Sequence, residues 1–176
     1  TYYSDATLVR LFISKILQVD KVIYLDTDAI VLDDISELWQ TNLKGNYIAG
    51  VKDKNMDNFI DYIDIMGLPD DCINAGVIVM NLKKIRNDKI DDKFLNILEK
   101  KQFKFPDQDI INLVCKNHIL FLPNKFNSSL VTDFAKNIKI LHFAYKKTNW
   151  IENFPYSEIW YEWEKNYESF LNVKFL

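Results

Sequence analysis

A chain of 176 residues, 48% apolar and 14% aromatic, holds enough apolar material for one domain with a sizeable core, which excludes a disordered segment. A net charge of −3 and the lack of a dense basic stripe argue against nucleic acid as a partner. No apolar run approaches the ~18 residues of a membrane span, and the distant Cys72 and Cys115 fit no metal spacing and read as reduced core thiols, so the expected compartment is the cytoplasm, with a peripheral seat at the inner face of a membrane compatible with it.

Ser4 or Asp5 can cap a helix that runs to about Leu17, with Leu8, Leu11, Phe12 and Ile16 at helical spacing. Arg10 falls off that stripe and reads, on pattern alone, as a solvated or salt-bridged surface residue. Gln18 to Asp20 then lead into Lys21-Val22-Ile23-Tyr24-Leu25, an apolar β-branched and aromatic run expected to form a buried strand. A helix feeding a strand in this way predicts an α/β layer fold with a largely parallel sheet. The strand ends in Asp26-Thr27-Asp28. Ligands collect outside the carboxyl ends of strands in open α/β sheets, and side chains at i and i+2 of an extended backbone share a face. Asp26 and Asp28 are therefore candidates to converge on one divalent cation, Mg²⁺ or Mn²⁺, that holds a diphosphate. The competing reading makes them turn formers or caps.

Ala29 to Leu32 is another apolar stretch, and Asp33 to Trp39 reads as a short capped helix. Tyr47 to Val51 predicts a strand leading to Lys52-Asp53, and Asn55 to Met66 a helix closed by Gly67. Asn74 to Leu82 is the second strong strand, in which the small Ala75 and Gly76 permit close approach of backbone or ligand. Asp88 to Lys101 predicts an amphipathic helix with Phe94, Leu95, Ile97 and Leu98 inward. Pro106 followed by Asp107-Gln108-Asp109 marks a helix start, with plain capping by Asp107 as the structural alternative. Ile119 to Leu122 and Lys139 to Leu141 are short strands, the latter delivering His142; the other histidine, His118, reads as structural. In a terminal helix from Ser157 to Phe170, Trp160, Trp163 and Tyr167 form a stripe expected to dock on the core.

Taken in order, these pieces resemble glycosyltransferase family 8, whose members include bacterial lipopolysaccharide galactosyl- and glucosyltransferases and glycogenin. The resemblance rests on Ala6-Thr7-Leu8-Val9-Arg10-Leu11, Tyr24-Leu25-Asp26-Thr27-Asp28, Asn74-Ala75-Gly76-Val77 with Asn81-Leu82, Asp107-Gln108-Asp109-Ile110-Ile111-Asn112, and Leu141-His142-Phe143 with Trp150. It implies a GT-A fold (Rossmann-like α/β), a UDP-sugar donor, a saccharide acceptor, Mn²⁺ or else Mg²⁺, and retention of anomeric configuration. It further implies that Asp26, Asp28 and His142 hold the cation, and that Arg10, Asp26, Thr27, Asp53, Asn74, Ala75 and Asp107 contact the substrate. Gln108 and Asp109 would lie beside the reacting carbon, Asp109 as nucleophile of a covalent route or Gln108 as electrostatic shelter of a same-face route.

Two departures from the family pattern stand out. Tyr145, Thr148 and Asn149 replace the glycine and the Lys-Pro pair expected between His142 and Trp150, which leaves Lys146 or Lys147 to grip the diphosphate. The family's N-terminal strands have no counterpart, so 1–176 is expected to be the C-terminal portion of one such domain. Half a nucleotide site and weak UDP-sugar binding are then expected unless a missing segment or a second copy completes it. Two further readings compete. A haloacid-dehalogenase-type phosphatase would use Asp26 as nucleophile, but Ile30 stands where it needs Thr or Val. A transferase-like module that binds sugar or a partner without catalysis is the other.

Overall fold

The computed structural model describes residues 5–129, 137–144 and 157–171. Its strands are Lys21–Leu25 (β1), Ala29–Val31 (β2), Ile48–Lys52 (β3), Ile73–Asn81 (β4), Ile119–Phe121 (β5), Ser128–Ser129 (β6) and Ile140–His142 (β7). Its helices are Asp5–Leu8 (α1), Ile13–Ile16 (α2), Ser36–Gln40 (α3), Ile60–Met66 (α4), Leu82–Asn87 (α5), Ile90–Lys100 (α6), Pro106–Cys115 (α7) and Ser157–Leu171 (α8).

One sheet has the order β1-β4-β3-β5 and a smaller one the order β2-β7-β6. The larger is mixed. β4 runs antiparallel to both β1 and β3, and only β3 and β5 pair in parallel. The expectation of a largely parallel sheet therefore fails. β4 is apolar on both faces because it is central, and that pattern is blind to strand direction.

The two faces of the sheet bury different partners. On one, Leu11, Ile85, Phe94, Ile110 and Ile111 from the helices cover Ile78 and Met80. On the other, Val77 and Val79 meet Leu38 of α3, Ile140 of the small sheet and Phe126 of the turn that precedes β6. Burying each such side chain contributes about 1.5–3 kcal/mol. The alternation of β4 breaks at the site end. Gly50 pairs with Ile78 but Lys52 with Ile73, so residues 74–77 stand opposite Val51 alone. This bulge re-aims Asn74, Ala75 and Gly76 toward the end of β1.

The first helix is split, α1 and α2 flanking a 3-10 turn over Val9–Phe12. Ser4, offered as its cap, lies outside the described residues. Likewise a 3-10 turn over Lys54–Phe59 precedes α4, which ends as expected at Gly67 with φ 69°. Leu95 is 42% exposed rather than inward, since α6 packs only its Phe94, Ile97 and Leu98 side on the core. Among the described side chains of α8, Ile159 and Trp160 of the first turn dock, Trp160 meeting Phe143 edge to face at 5.4 Å, whereas Trp163 and Tyr167 are 49% and 62% exposed. Cys72 and Cys115 are free and buried, and burial pushes both thiols up to about 12. No helix among the described residues is long and apolar enough to cross a membrane.

Candidate active site

β1 ends at Leu25, where the two sheets meet. Asp26 N donates to Gly76 O at 2.7 Å, which ties the acid to the bulge of β4. The chain then turns, Ala29 N donating to Asp26 O at 3.1 Å, and enters β2 in the small sheet. β7 pairs with β2 so that Ala29 stands opposite His142, and Phe143 N donates to Asp28 O at 2.8 Å. Strand pairing thus brings the histidine to the two acids. His142 Nε2 lies 3.2 Å from Asp28 Oδ1 and 3.9 Å from Asp26 Oδ2, and one ligating atom from each of the three lies within 4.8 Å of the others. Asp26 and Asp28 converge as expected, but through a turn and not along an extended strand. Two carboxylates and one imidazole nitrogen suit Mn²⁺ or Mg²⁺, with Mn²⁺ the better match to the nitrogen. Thr27, at the tip of the turn, is exposed.

Arg10 is not a surface residue. It is 5% exposed, and every face of its guanidinium is engaged. Nη2 donates to Asp26 Oδ1 at 2.6 Å, Nη1 to Ala75 O at 2.8 Å, and Nε stands 3.0 Å from Asp107 Oδ2. The Tyr24 ring lies 4.5 Å beneath it, and the Tyr24 hydroxyl donates to Asp26 Oδ1 at 2.8 Å. Burial pushes the Tyr24 phenol well above its usual range. Burial also raises the Asp107 carboxyl, with Arg10 opposing. Asp26, Asp28 and Asp107 gather three carboxylates around one guanidinium, an acidic surrounding that suits a cation.

Next to this cluster is a polar floor. Asp53 caps the turn before α4 by accepting from Asn55 N at 3.0 Å. Its other oxygen accepts from Gln108 Nε2 at 3.0 Å, while Gln108 Oε1 accepts from Ala75 N at 3.2 Å. Asn74 Oδ1 takes Gly76 N at 3.0 Å within the bulge. A cleft above this floor is lined by Lys52, Lys54, Asn124, Ser128 and Ser129. α7 presents its first turn in three directions: Asp107 to Arg10, Gln108 to Asp53, and Asp109 away to Tyr62. Asp107 does not cap the helix. Asp109 Oδ2 accepts from the Tyr62 hydroxyl at 2.5 Å and from Phe105 N at 2.9 Å, and Oδ1 has no hydrogen-bond partner among the described residues. Burial pushes the Asp109 carboxyl up to about 6 against those two bonds. Asn112, wholly buried, holds α7 to β4 by bonding both Ile73 N and Ile73 O, at 2.8 and 2.9 Å.

Lys146, Lys147 and Trp150 lie outside the described residues. His118 is exposed, its ring tilted against Tyr47 at 4.8 Å. Pattern reading passed over Tyr24 and Asn127. Tyr24 is two residues before Asp26, so the same i, i+2 rule that paired the acids also points to it. Asn127, whose Oδ1 is 2.9 Å from His142 Nδ1, follows a 3-10 turn over Asn124–Phe126 and carries no periodic signal.

Comparison with known proteins agrees with this geometry. The family model described as Glycosyl transferase family 8 matches residues 1–152. A lipopolysaccharide 1,2-glucosyltransferase of Escherichia coli K12 is 35% identical over 132 residues, covering 72% of this chain and 39% of that protein. The glycosyltransferase GlyE of Streptococcus pneumoniae is 29% identical over 136 residues, covering 76% and 30%. Among solved structures, the galactosyltransferase LgtC with donor and acceptor sugar analogs superposes with a TM-score of 0.82 at 26% identity, over 94% of this chain and 68% of that one. The bifunctional WbbM superposes at 0.74 and 26%, over 92% and 38%. The chain spans about two fifths of the length of the first curated relatives it matches.

Proposed function

Because this chain belongs to glycosyl transferase family 8, with the GT-A fold of its structural neighbours, we propose that it serves to move a hexose from a UDP-sugar to a saccharide acceptor, retaining anomeric configuration. UDP-glucose and UDP-galactose are the candidate donors and lipopolysaccharide the candidate acceptor, in line with the names of the relatives. The observation that carries the reading is the convergence of Asp26, Asp28 and His142.

These three residues would hold Mn²⁺, or Mg²⁺ in its place; the cation, when bound, supplies a Lewis acid that offsets the charge building on the departing diphosphate. Arg10 keeps Asp26 fixed and offsets the charge of the buried Asp107, so that both acids stay in place. Thr27 borders the diphosphate, and Lys146 or Lys147 would supply a positive charge to it. Asp53, Asn74, Ala75 and Gln108 offer paired acceptors and N–H groups to sugar hydroxyls. Gln108 then lies beside the reacting carbon, where its amide dipole shelters positive charge. The same-face route is favoured over the covalent one because Asp109 is desolvated and bound by two N–H or O–H groups, which is poor preparation for a nucleophile.

The test is release of UDP from UDP-glucose or UDP-galactose with and without Mn²⁺. Mn²⁺-dependent release is expected, with a loss of about 10²-fold or more in kcat for Gln108→Ala. A chain that binds Mn²⁺ and UDP yet releases none is a binding module, and the transfer reading falls.

A further inference from the structure

The hydrogen bonds behind His142 all run in one direction. Gly76 N is a backbone donor, so the Asn74 atom 3.0 Å from it must be the carbonyl oxygen. Asn74 Nδ2 then faces Asp53 Oδ2 at 3.4 Å, an acceptor, which agrees. Asn74 Oδ1 takes a second bond, from Asn127 Nδ2 at 2.9 Å. The amide of Asn127 is thereby oriented, and its oxygen is the atom 2.9 Å from His142 Nδ1. An amide oxygen accepts only, so Nδ1 carries the hydrogen. A neutral imidazole protonated on Nδ1 has a bare lone pair on Nε2. Nε2 is the nitrogen that faces Asp28 and Asp26.

Left to those two carboxylates, the ring would prefer the other tautomer. Nε2–H would donate to Asp28, and Nε2 would then be closed to any cation. Asn127 is suited to oppose this: it is 6% exposed, and it directly precedes β6, which pairs in parallel with β7 so that Ser129 stands opposite His142. Its distance from the ring is therefore set by the sheet.

We propose that Asn127 is a positioning residue that holds His142 in the Nδ1–H tautomer and so keeps Nε2 open to a divalent cation. The proposal rests on the cation reading given above, but its first readout needs no cation. A His118→Gln background leaves His142 as the sole histidine, since the chain has two. Long-range ¹⁵N–¹H correlation spectra of the metal-free chain at about pH 8.5, above the ordinary imidazole range, report which ring nitrogen is protonated. Nδ1–H is expected in the parent, Nε2–H in Asn127→Leu, and Nδ1–H again in Asn127→Asp, whose carboxylate still accepts. Titration with Mn²⁺ followed by electron paramagnetic resonance is expected to show affinity about 10–100-fold weaker in Asn127→Leu and little changed in Asn127→Asp. Nε2–H in the parent, or an unaltered tautomer in Asn127→Leu, overturns the proposal. Should Asn127→Leu fail to fold, Nε2–H in the parent or in Asn127→Asp does the same. A parent that shows Nδ1–H but binds no Mn²⁺ refutes the cation reading and leaves the tautomer assignment standing.

Discussion

Gly76 lies directly against the His142 ring: a Cβ built on it would stand 2.7 Å from Nε2 and 2.8 Å from Nδ1, and nearer still to Cε1. The ring is held from behind by Asn127 and has nowhere to retreat. Gly76→Ala is therefore expected to push His142 off the acids. Overpacking of this kind costs about 1–3 kcal/mol. Urea denaturation and Mn²⁺ titration on the same sample check it; a variant with parental Mn²⁺ affinity would show that the histidine is not a ligand.

A cation that binds only the folded chain stabilises it by mass action. At 100 times the dissociation constant the gain is about 2.7 kcal/mol. For a chain of this size that raises Tm by roughly 5–10 °C. Asp28→Asn removes one of the proposed ligands and is expected to abolish most of the shift. Differential scanning calorimetry with Mn²⁺ and with EDTA measures both, and equal shifts in parent and variant would place the binding elsewhere.

Arg10→Met is expected to be among the most damaging single changes. It leaves Asp107 buried and unpaired and frees Asp26 from two N–H bonds. Removing one partner of a buried pair costs about 3–5 kcal/mol. Because Asp107 then sheds its charge by taking up a proton, the deficit is expected to shrink as pH is lowered. Stability curves for parent and variant at two pH values test this, and a deficit independent of pH would argue against Asp107 as the stranded group.

Asp109 gives a pH signature of opposite sign to an ordinary ion-paired acid. Burial holds its carboxyl at about 6 in the fold, above the ordinary aspartate value of 3.8. Across that window the folded chain keeps a proton that the unfolded chain has released. Stability therefore falls as pH rises from about 4 to about 6, and does not recover above. Asp109→Asn cannot titrate. Its stability relative to the parent is expected to improve on the order of 2–3 kcal/mol between pH 4 and pH 7. Urea midpoints across the window decide it, and a constant difference would mean that Asp109 titrates at its usual value.

What was legible in the chain divides along physical lines. β1 and β4 are runs rich in β-branched residues, so their composition announces them, but composition does not encode that β4 is buried while β1 is a half-buried edge strand, nor whether neighbours run parallel. Asp26, Asp28 and His142 lie together as the family resemblance implied, although the two acids converge through a turn and not along the extended strand that i, i+2 spacing assumes. Arg10 was hidden because periodicity assigns charged residues to solvent; only the folded positions of Asp26 and Asp107 make its burial affordable. Asn127 and the bulge at 74–77 lie in irregular backbone, where no period exists to be read. The α8 stripe misled in the other direction, because Trp160 docks in the first turn while Trp163 and Tyr167, further along the same face, stay exposed.

The pairing of β2 with β7 also dictates when the site can exist. Asp28 and His142 are 114 residues apart along the chain. Both acids precede β7 in the chain, so His142 joins them only when β7 pairs with β2. Closing so long a loop belongs to the slow, late events of folding. A cation held by the finished centre would therefore act as a latch, lengthening the lifetime of the native chain by slowing unfolding and leaving the rate of folding nearly untouched.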